Sequence, residues 1–99
     1  MTNTPQITDS HCHLNFPDFE EQLPEIIARA AQEGITRMVT ICTKLKNVDT
    51  VRAIAEAHEP VFFAAGTHPM SVADEPLVSV EELVALTNHP KMVGIGETG

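Results

Sequence analysis

Val61-Phe62-Phe63-Ala64-Ala65-Gly66 is apolar at every position before its closing glycine. An extended chain sends alternate side chains to opposite faces, so this segment needs burial on both. Strands of that kind belong to parallel sheets whose faces are covered. Upstream, Thr36 to Cys42 is a second candidate strand, carried by the β-branched run Val39-Thr40-Ile41. Between the two, the spacing predicts a helix from Asn47 to His58, with Val48, Val51, Ile54 and Ala55 as its apolar stripe. Glu59-Pro60 ends it.

The same alternation continues outward. Gln6 to Asp9 begins a first strand that runs into Ser10-His11-Cys12-His13. Pro17-Asp18-Phe19 is expected to open a helix with early acids Glu20, Glu21 and Glu25, apolar residues Ile26, Ile27, Ala30 and Ala31, and Gly34 as its stop. Downstream, Ser79 is a candidate N-cap for a helix through Leu83, Leu86 and Thr87. Lys91 to Ile95 is the fourth strand. The resulting order, β-α-β-α-β-α-β, implies an α/β fold with a parallel sheet covered by helices. Right-handed crossovers leave an open doubly wound sheet or part of a (β/α)8 barrel. No helix follows the fourth strand, and a whole barrel needs ~250 residues. The reading is therefore the N-terminal half of a TIM barrel. Residues 1–99 form a single partial domain: three βα units and a fourth strand.

Composition narrows the function. Fourteen acids against six Lys and Arg give a formal charge of −8. Affinity for a phosphate backbone usually comes from Lys and Arg, so this balance weighs against non-specific nucleic-acid binding. No apolar run approaches the ~20 residues of a membrane-crossing helix, and no secretory signal opens the chain. Cytoplasmic location, with no membrane partner, is the expectation. Cys12 and Cys42 form no C-x-x-C pair and read as buried thiols.

Chemistry concentrates in three places. His11 and His13 are two apart on a strand, so both imidazoles can face one divalent cation. Asp9 lies on the same face, able to hydrogen-bond a ligating His or to serve as another ligand. Gly66-Thr67-His68-Pro69 places His68 at the same rim after the third strand, as a phosphate donor or supporting group. Gly94-Ile95-Gly96-Glu97-Thr98-Gly99 matches G-x-G-x-x-G in form. It is not a dinucleotide loop: that fingerprint belongs to the first βα unit and opens a helix. Glu97 would also set a negative charge against the pyrophosphate. A carboxylate at a strand's C-terminal end suits divalent cations, and one carboxylate can bridge two. His58 and His89 receive no role.

Taken in order, Asp9-Ser10-His11-Cys12-His13-Leu14, Gly66-Thr67-His68-Pro69 and Gly94-Ile95-Gly96-Glu97-Thr98-Gly99 resemble the signature of the TatD family of metal-dependent hydrolases, among the amidohydrolase-like barrels. The resemblance implies two divalent ions (Mg, Mn or Zn), with His11 and His13 on one and Glu97 bridging to the second. It places His68 near the substrate phosphate and implies phosphodiester hydrolysis of DNA. Such families use two later histidines and a later aspartate, on strands this chain does not contain. Weak or absent catalysis is therefore expected from these 99 residues alone. Two other readings stand beside it. One is a metal-dependent hydrolase of a small phosphoester or amide. The other is a non-catalytic piece that self-associates through its exposed sheet edges.

Overall fold

The computed structural model describes residues 5–19 and 21–98. Glu20, counted among the early acids, and Gly99, which closes the third motif, lie outside them, as do the first four residues. Strands β1 (Ile7–Cys12), β2 (Ile35–Cys42), β3 (Val61–Ala65) and β4 (Met92–Ile95) alternate with helices α1 (Leu23–Gln32), α2 (Val48–Ala57) and α3 (Val80–Leu86). All strand pairs are parallel, in the order β1-β2-β3-β4. That order separates the two architectures left open by the alternation. A doubly wound sheet reverses its order at a switch point, whereas a barrel lays each strand beside the last. Here there is no reversal.

One helix starts later than its sequence suggested. Pro17–Phe19 forms only a single 3-10 turn, and α1 begins at Leu23 with proline in its first turn. Pro24 lacks an N–H and cannot sit deep inside a helix, so it fixes the start close to itself. The other end follows the sequence, with Gly34 at φ 92°, a conformation that favours glycine. Ser79 caps α3 as expected, its Oγ accepting from the Glu82 N–H at 3.1 Å.

The core lies between the sheet and helices α1 and α2. Val61, Phe63 and Ala65 of β3 and Cys42 of β2 are fully buried, and they pack with Leu23, Ile27, Met38, Val51 and Ala55. By contrast, α3 contributes no buried residue. The edge strands β1 and β4 leave Ile7, Val93 and Ile95 about half exposed. Cys12 and Cys42 are free thiols donating to the Val39 and Lys44 carbonyls. Burial pushes both up to about 11, with the Asp9 charge assisting at Cys12, so neither is a thiolate at neutral pH. No helix among the described residues is long and apolar enough to cross a membrane.

One buried polar contact ties this core to the end of β1. Thr40 is fully buried, and its Oγ1 accepts the Leu14 N–H at 3.0 Å. Leu14 directly follows His13, so the bond fixes the path of the chain as it leaves the strand. Thr40→Val keeps the shape but leaves that N–H without an acceptor. The expected cost is about 1–3 kcal/mol, read as a lower urea midpoint at unchanged slope. An unmoved midpoint would show that Leu14 finds another partner.

Candidate metal centre

Parallel strands present their C-terminal ends at one edge, and the three motifs sit at that edge. His11 belongs to β1, and His13 follows it by one residue. His68 leaves β3, and Glu97 leaves β4. One ligand atom from each of His11, His13 and Glu97 falls within 4.8 Å of the others. Two ligands on one zinc-sized ion stand at most about 4.2 Å apart, because each bond is about 2.1 Å. Three evenly spaced ligands on such an ion stand at most about 3.6 Å apart, so each side chain must move inward by about 0.7 Å to bring all three onto one cation. Two imidazoles and a carboxylate suit a borderline divalent ion.

Hydrogen bonds fix which nitrogens are available. His13 Nδ1 lies 3.3 Å from the Ile41 carbonyl oxygen. A carbonyl only accepts, so Nδ1 carries the proton and Nε2 keeps its lone pair for a metal. His68 has the opposite arrangement. Its Nδ1 accepts the Met70 N–H at 3.0 Å, which leaves the proton of the neutral ring on Nε2. That Nε2 faces Glu97 Oε1 at 3.6 Å, while Glu97 Oε2 faces His11 Nε2 at 3.7 Å. The carboxylate thus reaches between a histidine that can ligate and one that can donate.

The ring of His13 is held on two sides. It meets His11 edge-on at 5.1 Å and stacks on Phe16 at 5.1 Å with 9° between planes. Asp9 bonds His11 through the main chain. Its Oδ1 accepts the backbone N–H of His11 at 3.0 Å rather than reaching an imidazole, and it is not among the three converging ligands. A short carboxylate reaches an N–H two residues on more readily than a ring, the usual local habit of Asp. It steadies the backbone that carries His11.

Glu97 owes its place to a close backbone approach. A Cβ on Gly66 would lie 2.5 Å from the Glu97 carbonyl oxygen and 3.1 Å from the Gly96 carbonyl carbon. Glycine at 66 lets the end of β4 lie against the end of β3, where Gly96 N–H donates to Ala65 O at 3.1 Å. The Gly96–Glu97 peptide is cis.

His58 and His89 stay at the opposite end of the sheet, in the turns entering β3 and β4. The His58 carbonyl accepts the Val61 N–H, and His89 meets the Phe63 ring edge-on at 5.4 Å. Residue type alone did not single out Phe16 or the Ile41 carbonyl. An aromatic three residues past His13 was the one available signal.

A family profile described as TatD related DNase matches residues 8–99. A metal-dependent hydrolase of Escherichia coli K12, YjjV, itself described as uncharacterized, is 38% identical over 93 residues, 92% of this chain and 36% of that protein. A protein of Cronobacter turicensis named 3′-5′ ssDNA/RNA exonuclease TatD is 31% identical over 91 residues, 92% of this chain and 35% of its own length. The crystal structure of the Escherichia coli TatD homologue YjjV superposes with a TM-score of 0.81 at 35% identity, again over 92% of this chain and 36% of that one. The chain therefore spans little more than a third of the length of these relatives. The sheet corresponds to the N-terminal part of the barrel, as its strand order requires.

Proposed function

From the premise that this chain belongs to the TatD related DNase family, we propose that the whole protein is a metal-dependent hydrolase that cleaves phosphodiester bonds of DNA. The observation that carries this reading is the convergence of His11, His13 and Glu97 within 4.8 Å at the C-terminal ends of two non-adjacent strands. His11 and His13 would hold one divalent cation, and Glu97 would extend a carboxylate oxygen to a second. When bound, such ions supply Lewis acidity and lower the pKa of a water molecule toward neutrality.

The chain's own residues have distinct tasks. His13 offers Nε2 because its Nδ1–H donates to Ile41 O. His68 presents Nε2–H, a donor suited to a phosphoryl oxygen and unsuited to a cation. Glu97 sets the spacing between the two sides. Zinc suits the imidazole pair, while magnesium or manganese would rely more on the Glu97 carboxylate. Two thiols kept free agree with a reducing compartment, and the cytoplasm is the proposed location. Exposed Ile7, Val93 and Ile95 on the edge strands favour further pairing there, with more of a barrel or with a second copy.

Incubating the whole protein with single-stranded DNA under Mg²⁺, Mn²⁺ or Zn²⁺ tests the proposal. Cleavage is expected with metal and none after EDTA. Cleavage indifferent to EDTA would overturn the metal mechanism. Hydrolysis of bis(p-nitrophenyl) phosphate or a small amide without attack on DNA would favour the small-substrate alternative.

A further inference from the structure

Phe16 has a second face. One side of its ring covers His13, yet the residue remains 46% exposed and lines a cavity of about 380 Å³ with Asn15, Thr43, Lys44 and Asn47. The cavity lies between the loops that leave β1 and β2, at the strand ends that carry the metal ligands. Its chemistry is mixed: an aromatic wall, an ammonium and side-chain amides. The Asn47 side chain makes no bond to the helix it precedes. Asn15 Oδ1 is buried without a donor.

The distribution of positive charge points the same way. Of the six Lys and Arg residues, Arg29 lies in the last turn of α1 and Arg37 near the start of β2. Lys91 donates to the Ala55, His58 and Glu59 carbonyls at the end of α2. All three are at the far end of the sheet. Arg52 pairs with Asp49, and Lys46 lines a depression shared with Asp74 and Glu75. Lys44, like Lys46, makes no ion pair among the described residues, and it alone of the six lines the cavity beside Phe16. An acidic protein thus sets a lysine in the cavity at the sheet edge that carries its candidate metal ligands.

We infer that the cavity between Phe16 and Lys44 is a nucleotide subsite, which binds one unit of a single-stranded nucleic acid next to the scissile phosphate. The base stacks on the outer face of Phe16, and the adjoining phosphate pairs with Lys44 Nζ. Asn15 and Asn47 offer amide groups to base or sugar. Stacking tolerates any base, because every base has a π-face, so the subsite favours single strands without fixing a sequence. The inference rests on the nuclease reading and refines it.

Binding of a fluorescein-labelled, phosphorothioate-linked oligothymidylate, followed by anisotropy with Mg²⁺ present, tests it in the whole protein. Lys44→Ala is expected to weaken binding about five- to tenfold and to lower the slope of log Kd against log salt by about 0.7, one phosphate contact on a single strand. Phe16→Leu, which keeps bulk and removes the π-face, is expected to cost about fivefold or more. Arg37→Ala removes the same charge at the far end and should change neither quantity. Equal weakening by Lys44→Ala and Arg37→Ala, or none by either, overturns the subsite. So does failure of the unaltered protein to bind the oligomer. Cleavage of ordinary oligothymidylate by the unaltered protein is scored separately. If it fails while the Lys44 and Phe16 effects hold, the nuclease reading falls and the subsite stands.

Discussion

Glu97→Ala is expected to remove metal-dependent hydrolysis by the whole protein and to weaken divalent-ion binding by more than about a hundredfold. Losing even an outer partner of a metal ligand costs about 10–100-fold, and Glu97 is the sole carboxylate in the converging group. Its removal leaves two neutral imidazoles, whose affinity for a hard cation such as Mg²⁺ is poor. Glu97→Gln sharpens the test, since the amide keeps length and shape while losing the charge. Zinc and manganese titration calorimetry on both variants gives a readout independent of turnover. Because His11 and His68 both face this carboxylate, at 3.7 Å and 3.6 Å, its loss should also loosen His68. A Glu97→Ala protein that binds metal and cleaves DNA as before would remove the residue from the site.

How far this arrangement was readable in advance differs from residue to residue. Strand period alone put His11 and His13 on one face. The alternation of strands and helices put both, with His68 and Glu97, at one edge of a parallel sheet. Those inferences need only local geometry and topology. The proton on His13 depends on register. Cys12 pairs with Thr40 across an irregular β1–β2 ladder, and this brings the Ile41 carbonyl within reach of the ring. No side-chain identity encodes that carbonyl. Asp9 bonds the main chain of His11 rather than its ring, a choice of partner that residue type does not settle. The start of α1 turns on Pro24, which sits in the first turn and leaves Pro17–Phe19 as a separate 3-10 turn. A net charge of −8 says nothing of where single charges lie, such as Lys44 in the cavity beside Phe16.

Gly66→Ala is the severest test of how the fold makes the site, because the altered residue has no chemistry of its own. The added Cβ would meet the Glu97 carbonyl oxygen at 2.5 Å, with Gly96 carbon atoms at 3.1 Å and 3.2 Å. All three contacts are backbone, so no side chain can rotate away. The end of β4 must retreat by about 1 Å to reach an ordinary contact distance. That motion stretches the Gly96–Ala65 hydrogen bond, now 3.1 Å, and carries Glu97 with it. Overpacking of this sort costs about 1–3 kcal/mol, a loss visible in urea denaturation. The functional loss should be larger in proportion, since a displacement of about 1 Å at a reacting constellation can cost about a hundredfold. Melting curves, metal titration and hydrolysis rates on one preparation separate the two effects. A protein still mostly folded at the assay temperature but with metal affinity well below the unaltered level is the expected outcome. Equal stability and equal affinity would mean that β4 has room to yield, and that the seating of Glu97 does not depend on the missing side chain at 66.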